Sequence, residues 1–314
     1  MSSGIDEQGR GGGALWWAAL QQVEGVGAAT MLRLARVFGS AEAALAATCE
    51  ELMARGGLSR EQAAGMAASA RALPARRSEI EALEQQGIRL LAIGDPGYPA
   101  ELLDLRSPPP LLYVRGTLKE KDGRGVAVVG TREASREGAR LARRLGRGLA
   151  ERGFTIVSGL ARGIDTAGHR GALQAKEGRT VAVLGCGVQH VYPPENGLLA
   201  AKIARRGCVL AEVPPHTEVH RRHLLARDRL QAALSRAVIV VQAHGKCGSL
   251  VTARHAVRCG RLLYGVAWER EPFAEGWERL QALGARRLEA GANLDEIVAA
   301  IERGPDPPSQ EPLR

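Results

Sequence analysis

Apolar residues follow two different periods along this chain, and the alternation between them predicts its architecture. From 126 to 266, short runs rich in valine, isoleucine and leucine alternate with longer segments in which apolar residues recur every three or four positions. Continuous apolar runs are typical of strands buried on both faces, and the second pattern predicts amphipathic helices. The chain is therefore expected to have an α/β fold with a mostly parallel sheet and helices on both faces.

The pattern also fixes approximate bounds for these elements. Polar residues or glycines interrupt the pattern at each end, and Asp165 is expected to cap the helix that begins there. The predicted strands are 88–93, 111–116, 126–129, 155–157, 180–184, 208–212, 237–241 and 261–266, and the predicted helices are 75–87, 135–152, 165–175, 196–206, 249–258 and 294–303.

Residues 14–74 show the helical period alone and predict a small all-α domain ahead of a sheet-containing domain at 75–304. The apolar-x-Gly-x-Gly turn at 23–27 resembles that of helix-hairpin-helix (SAM-like) modules, whose glycines let backbone amides approach a phosphate. The same turn also serves between packed helices, and packing is the role we expect. Residues 1–13 are expected to form a disordered arm and 305–314 a proline-rich tail.

Glycine-rich loops follow three of the predicted strands, beginning at Gly130, Ser158 and Gly185. Because parallel strands present their carboxyl ends at one edge of a sheet, these loops are expected to share a crevice. The loop 158–165 combines backbone amides with Arg162 and Asp165, which together suit a phosphate, although these two residues would also form a structural ion pair. The chain has neither a Gly-x-Gly-x-x-Gly fingerprint nor a Walker loop, so no cofactor is expected.

Charge and cysteine usage narrow the class of protein. The 314 residues carry a net charge of +9, which favours partners rich in phosphate, although an arginine-rich chain also arises from a GC-rich genome. No apolar run approaches the roughly 18 residues of a membrane span, so no membrane association is expected. Five widely spaced cysteines argue against a disulfide framework and for a reducing cytoplasm.

Taken in order, the loop residues resemble the bacterial DNA-processing protein A family, also called DprA/Smf. The matching segments, which cover most of residues 88 to 290, are 129–132, 158–165 with His169 and 171–173, 183–187, 192–193 with Asn196, and 248–253. The resemblance implies an extended Rossmann-like domain that binds single-stranded DNA, forms a homodimer and helps to load a RecA-type recombinase during natural transformation. It does not imply an enzyme.

By the same resemblance, Arg132, Arg162 and the segment 227–229 line a basic pocket for the phosphates of the strand. No catalytic residue and no metal ligand is predicted. The candidate DNA-contacting residues are Gly130, Thr131, Arg132, Ser158, Gly159, Ala161, Arg162, Gly163, Asp165, His169, Gly185, Gly187, Tyr192, Asn196, Arg227, Arg229, Lys246, Gly248, Ser249 and Thr252.

The segment 224–229 departs from the family pattern. It reads Leu-Leu-Ala-Arg-Asp-Arg where the family usually has Phe-Pro-x-Arg-Asn-Arg. The change removes an aromatic ring that could stack on a base and places the carboxylate of Asp228 beside phosphate-binding arginines. Gln242 also stands where a glutamate is common. These differences predict a divergent member with altered DNA affinity.

A metal site is one alternative, because His255 and Cys259 are spaced i, i+4 on a predicted helix and follow His244-x-x-Cys247. Isolated thiols and surface histidines are the explanation we favour. His169 is expected to orient its neighbours rather than act as a base, since Ser158 lacks the context of an activated nucleophile.

An enzyme is the second alternative. Nucleoside-monophosphate phosphoribohydrolases have related folds, and a sheet-edge pocket of glycine, serine, arginine and aspartate would hold a nucleotide. That chemistry requires a glutamate in the loop near Gly248, and residues 242–247 contain none. A nucleotide sensor without a role on DNA is the third alternative.

Overall fold

A computed structural model describes residues 13–268, 271–289 and 291–304, which form two compact units that meet in sequence at Arg115 and Gly116. The tail expected at 305–314, and the arm expected at 1–13 apart from Gly13, lie outside the described residues.

The first unit is helical and ends in an antiparallel strand pair, β1 with β2. Residues 59–62 form a capping box: the Ser59 hydroxyl accepts from the Gln62 amide at 3.2 Å, and the Gln62 side chain accepts from the Ser59 amide at 3.0 Å. Gln62 also donates to the carbonyl of Gly25, which gives the glycine turn a packing contact. The elements are α1 Gly13–Leu20, α2 Ala28–Phe38, α3 Ala41–Ala46, α4 Cys49–Ala54, α5 Arg60–Arg71, α6 Leu73–Gln85, β1 Ile88–Ala92 and β2 Leu111–Gly116.

The second unit contains seven parallel strands in the order β6-β5-β4-β3-β7-β8-β9, which confirms the predicted parallel sheet. The elements α12 and β9 were not predicted; a strand of three residues such as β9 has no measurable period. The elements are β3 Gly125–Val129, α7 Arg136–Glu151, β4 Thr155–Ser158, α8 Ile164–Ala172, β5 Arg179–Leu184, α9 Gly197–Arg206, β6 Cys208–Ala211, α10 Arg221–Ala233, β7 Ala237–Val240, α11 Ser249–Arg258, β8 Leu262–Val266, α12 Ala274–Ala282, β9 Arg286–Leu288 and α13 Leu294–Arg303.

Helices cover both faces of this sheet. On one face, alternate side chains of the strands, such as Val126, Val128 and Ile156, pack into a core with α7, α8 and α13. On the other face, α10 and α11 pack against the sheet and against each other. Strands β3 to β8 are buried along their whole length, and they are therefore nearly continuous apolar runs in the sequence.

Helices α7 and α8 approach each other through glycines. A Cβ atom on Gly146 would lie 2.3 Å from the carbonyl oxygen of Gly168, and one on Gly171 would lie 2.1 Å from the carbonyl oxygen of Arg143. Any larger residue would push the helices apart. This contact fixes α7 against the helix that leaves the loop 158–165.

A buried ion pair joins elements at the amino ends of β4 and β5. The guanidinium of Arg179 donates to Asp122 at 2.6 Å and to the carbonyl of Thr117 at 2.7 Å, and the Thr155 hydroxyl donates to Asp122 at 2.7 Å. The hydrogen bond that Arg179 donates to Asp122 raises the pKa of Arg179. The side chains of Asp122 and Arg179 are 6% and 9% exposed, so each charge depends on the other.

We expect Asp122→Ala to lower the free energy of unfolding by about 3–5 kcal/mol, because it leaves the Arg179 guanidinium buried without a counter-charge. Urea denaturation followed by circular dichroism measures this loss. Asp295→Ala is the matched control, since it removes the exposed pair with Arg152 and should change the midpoint little. Equal midpoints for the two variants would contradict the assignment.

Candidate nucleic-acid interface

A cleft of about 330 Å³ opens at the carboxyl ends of β3 and β7. These strands are neighbours, but the chain builds β4, β5 and β6 on one side of β3 before it returns to form β7 on the other. Connections diverge at such a reversal and leave a crevice where ligands bind. The predicted residues that line the cleft are Gly130, Thr131, Arg132, Ala161, Asp165, Arg227, Gly248, Ser249 and Thr252; the others are Val129, Glu133, Leu224, Leu225, Asp228, Gln231, His244 and Cys247.

A smaller pocket of about 20 Å³ shares Arg132, Leu224 and Arg227 with the cleft and brings in Arg162 and Tyr192. Arg132 is exposed, Arg162 has a side chain 58% exposed, and Tyr192 is half-buried. Two exposed cations and an aromatic ring therefore come together at this edge of the sheet. Leu224, where the sequence departs from the family's phenylalanine, lines both cavities.

The carboxylate of Asp165 occupies the turn that follows β4. It accepts hydrogen bonds from the amides of Gly159 at 3.1 Å and Ala161 at 3.4 Å. The prediction that Asp165 caps α8 is wrong, because Gly163 holds the cap position and Asp165 lies inside the helix, reaching back to the loop. Burial raises the pKa of Asp165, while the charge of Arg227 and the two amides lower it. The chain's own carboxylate thus fills part of the anion site expected in this loop.

The side chain of Asn196 stabilises the rest of the turn. Leu160 adopts a left-handed conformation with φ of 58°, and its carbonyl accepts from the side-chain amide of Asn196 at 2.8 Å. Asn196 also donates to the hydroxyl of Thr166 and is only 3% exposed. Asn196 therefore stabilises the loop and does not line either cavity.

Gly163 lets the loops after β3 and β4 touch. It has a φ of 72°, and a Cβ atom there would lie 2.4 Å from the carbonyl oxygen of Thr131. The amide of Ile164 donates to that carbonyl at 3.2 Å. The loops that touch here carry Arg132 and Arg162, which both line the smaller pocket.

Arg227 is buried and structural. It is 5% exposed, and its guanidinium donates to the carbonyl of Gly159 at 2.8 Å, to the carbonyl of Val183, and to the carboxylate of Asp228 at 3.2 Å. These bonds tie the exits of β4 and β5 to α10. A guanidinium that makes them contributes its charge to the cleft, with few donors left for a ligand.

Asp228 places an acid in the wall of the cleft. Its carboxyl is 7% exposed, and burial raises its pKa to about 6; the charge of Asp165 adds to this increase, and those of Arg227 and Arg132 oppose it. The carboxyl of Asp228 is therefore mostly ionised at neutral pH, and it takes up a proton as the pH falls through about 6.

Arg229 and Lys246 lie outside both cavities. The guanidinium of Arg229 forms an ion pair with Glu212, and Lys246 is exposed in the loop between β7 and α11. Arg162 likewise has a carboxylate partner, Glu195, rather than Asp165, so the ion pair considered within the loop does not form.

Ser158 and His169 lie beneath the loop and are fully buried. The Ser158 hydroxyl donates to the carbonyl of Val128 at 2.7 Å. The Thr180 hydroxyl donates to the carbonyl of Ile156 and therefore accepts from His169 Nδ1 at 2.6 Å. Burial, with the charge of Arg227, lowers the pKa of His169 to about 3, so the ring is neutral and orients its neighbours.

Gly185 and Gly187 permit close packing rather than ligand contact. A Cβ atom on Gly185 would lie 2.7 Å from the Cα of Leu224, and one on Gly187 would lie 2.0 Å from the carbonyl oxygen of Pro215. The first of these contacts seats α10 against the exit of β5.

Gln242 is a structural residue that the sequence did not reveal. Its side chain accepts from the Ser135 amide at 3.0 Å and donates to the Ser135 hydroxyl at 2.8 Å, and its carbonyl accepts from the Thr131 amide at 2.7 Å. It joins the exits of β3 and β7, the two strands that flank the cleft. In the sequence, the sign of this role is that Gln242 is a polar residue directly after the apolar run 237–241.

Within the described residues, no group of three or more histidine, cysteine, aspartate or glutamate side chains is arranged to hold a metal ion. His244 and Cys247 line the cleft, and the His244 ring packs against Phe273 with centroids 5.0 Å apart. In the same part of the chain, no helix has the length and apolar character of a bilayer span.

Comparison with known proteins agrees with the loop motifs. A family model described as DNA recombination-mediator protein A matches residues 89–302. The chain is 37% identical over 255 residues to Protein Smf of Synechocystis, a match that covers 80% of this chain and 64% of that relative's length.

Two solved structures are also similar. The X-ray structure of DNA processing protein A from Streptococcus pneumoniae has a TM-score of 0.77 at 28% identity, covering 91% of this chain and 97% of that one. A structure of DNA processing protein A from Helicobacter pylori, described for its unique single-stranded DNA binding mode, has a TM-score of 0.61 at 28% identity and covers 69% of this chain and 96% of that one. Together with the matched segments at the sheet edge, these similarities confirm that the chain belongs to the DNA recombination-mediator protein A (DprA/Smf) family.

Proposed function

We propose that this chain binds single-stranded DNA in the cleft, protects incoming DNA, and assists the loading of a RecA-type recombinase in natural transformation and recombination. The observation that carries the proposal is the convergence of Arg132, Arg162 and Tyr192 in the smaller pocket, which shares Arg132 with the cleft. The Helicobacter pylori relative, whose structure is described for its single-stranded DNA binding mode, supports the choice of ligand.

Phosphate contacts would dominate binding. Arg132 and Arg162 are exposed, and the pair of Arg162 with Glu195 is a surface ion pair that costs little to exchange for a phosphate. Gly248 and Ser249, at the amino end of α11, line the cleft, and the amino end of a helix favours an anion. Such contacts read the backbone rather than the bases, and binding should tolerate any sequence.

The further parts of the proposal follow the family resemblance: a homodimer, a cytoplasmic location and a role in handing DNA to the recombinase without making or breaking a covalent bond. The enzyme alternative requires a glutamate in the loop near Gly248, whereas Glu133, the glutamate that lines the cleft, follows β3. Glu275 of α12 packs against Gly245, but it pairs with Arg279 and is not among the cleft-lining residues.

Fluorescence anisotropy with a labelled oligo(dT) and a duplex of equal length tests the proposal. We expect tight binding to the single strand at low salt, weaker binding to the duplex, and a steep loss of affinity as salt rises. A preference for duplex, or no binding at low salt, would refute it. Release of free base from nucleoside monophosphates would favour the enzyme alternative instead.

Arg132→Ala and Arg162→Ala should each weaken binding to all sequences alike and lower the salt slope by about 0.7, the value for one lost phosphate contact. Arg279→Ala removes the same charge from α12 and is the matched control. Sequence-dependent losses at Arg132 would contradict the phosphate assignment.

Arg227→Ala should instead lower the free energy of unfolding by about 3 kcal/mol, because it leaves two carbonyls and the carboxylates of Asp165 and Asp228 without their cation.

Tyr192→Ala should weaken binding of oligo(dT) by about 1–3 kcal/mol if its ring stacks on a base, whereas Tyr192→Phe should bind as the wild type does. Anisotropy at constant salt measures both. An unchanged salt slope in Tyr192→Ala would distinguish stacking from loss of a phosphate contact, and equal affinities for all three proteins would exclude stacking.

Asp228→Asn should bind about fivefold more tightly than the wild type near pH 7.5, since one like charge near a phosphate costs about 1 kcal/mol. As pH falls through about 6, Asp228 takes up a proton and loses its charge, so the advantage should vanish near pH 5. The ratio of the two affinities at each pH isolates the effect of Asp228, because every other group is the same in both proteins. A ratio that is constant with pH would contradict this role.

A further inference from the structure

The exposed face of α7 carries five arginines and leads away from the cleft. Because α-helical residues three and four positions apart share a face, these side chains form one row about 16 Å long. Together with Gln174 they line a shallow groove of about 510 Å³ that is separate from the cleft. The five, all exposed, are Arg136, Arg140, Arg143, Arg144 and Arg147.

This row differs from an ordinary solvated helix face. Exposed faces usually pair opposite charges at i, i+4, but here Arg136 with Arg140, Arg140 with Arg144, and Arg143 with Arg147 place like charges at that spacing. Like charges so placed destabilise a helix. Of the two acids in α7, Glu137 lies at the edge of the row in the first turn, and Glu151 forms a 2.7 Å ion pair with Arg147 at the far end.

The opposite face of α7 shows why the row is rigid. Leu141, Leu145 and Leu149 are buried in the core, and the glycine contact with α8 holds the helix close. The backbone that carries the arginines is therefore fixed, so a ligand would meet charges at a constant spacing, and little backbone entropy would be lost on binding.

The row begins at the wall of the cleft. Ser135 caps α7 by accepting from the Gly138 amide at 3.0 Å, and Gln242 holds Ser135 to the exit of β7. Arg136, the first arginine of the row, is only four residues beyond Arg132, which lines the cleft. A polyanion that leaves the cleft on this side meets a continuous series of guanidinium groups.

We propose that the arginine row of α7 is a second contact surface for the phosphate backbone of the same DNA strand, which continues onto it from the cleft. This inference rests on the proposed single-strand binding and extends it from a cleft-sized segment to a longer track. Guanidinium groups suit the assignment because they bind phosphate oxygens bidentately, and the absence of aromatic side chains among the lining residues of this groove predicts contact with phosphates only.

The test compares a short oligo(dT) of about six nucleotides, which is within the site size of one small binding domain, with one of about thirty nucleotides. The variant is Arg140→Gln, Arg143→Gln and Arg144→Gln together. The matched control is Arg258→Gln, Arg279→Gln and Arg287→Gln on α11, α12 and β9, which changes the net charge equally. Anisotropy is measured for both lengths over a range of salt concentrations, with thermal unfolding as the check on folding.

We expect the α7 variant to bind the short oligonucleotide as the wild type does and the long one roughly 100-fold more weakly at about 0.1 M salt, with a salt slope lower by about 2. The control should match the wild type at both lengths. The inference is overturned if the α7 variant keeps its affinity for the long strand, if it loses both lengths equally, or if the wild type gains nothing from length. Failure of the wild type to bind either strand would instead refute the proposed function.

Discussion

The geometry of the cleft depends on one buried guanidinium. Arg227 reaches from α10 to the carbonyls of Gly159 and Val183, where β4 and β5 end, and lies between the carboxylates of Asp165 and Asp228. A buried carboxylate is costly without a cation, so the loop that Asp165 organises is stable only while Arg227 is present. The turn after β4, the position of α10 and the lining of the cleft thus all depend on the positive charge of Arg227.

This requirement divides the arginines at the sheet edge into two kinds. Arg227 and Arg229 donate their hydrogen bonds to groups of the protein itself: Arg227 to buried carbonyls and Arg229 to the carboxylate of Glu212. Arg132 and Arg162 are held in place by backbone contacts of their loops, and their side chains remain exposed. Arginines that the family resemblance groups together therefore support a ligand site in different ways, some by forming it and others by lying exposed at it.

The sequence predicted the sheet, most of its helices and the edge where the loops meet, because strand and helix periods are local properties of the chain. The roles of individual residues at this edge were harder to predict from the sequence. Asp165 was expected to cap its helix, yet it bonds backward to the loop, and Asn196 and Ser158 proved to be supports rather than lining. These roles depend on which side chain lies within hydrogen-bond distance of a buried amide or carbonyl. That is decided by the tertiary structure and not by the local sequence. The pair of Asp122 and Arg179, separated by 56 residues of intervening chain, carried no local signal at all.

The position of that pair has a consequence for how the protein can change over time. Asp122 and Arg179 clamp the strands at their amino ends, whereas the segment 224–229, which departs from the family pattern, lies at the carboxyl ends. One stabilising contact thus lies at the edge of the sheet opposite the cleft, while Arg227 stabilises the cleft edge itself. Mutations that alter the cleft need not weaken the clamp, so lineages of this fold can explore new binding surfaces while the protein continues to fold.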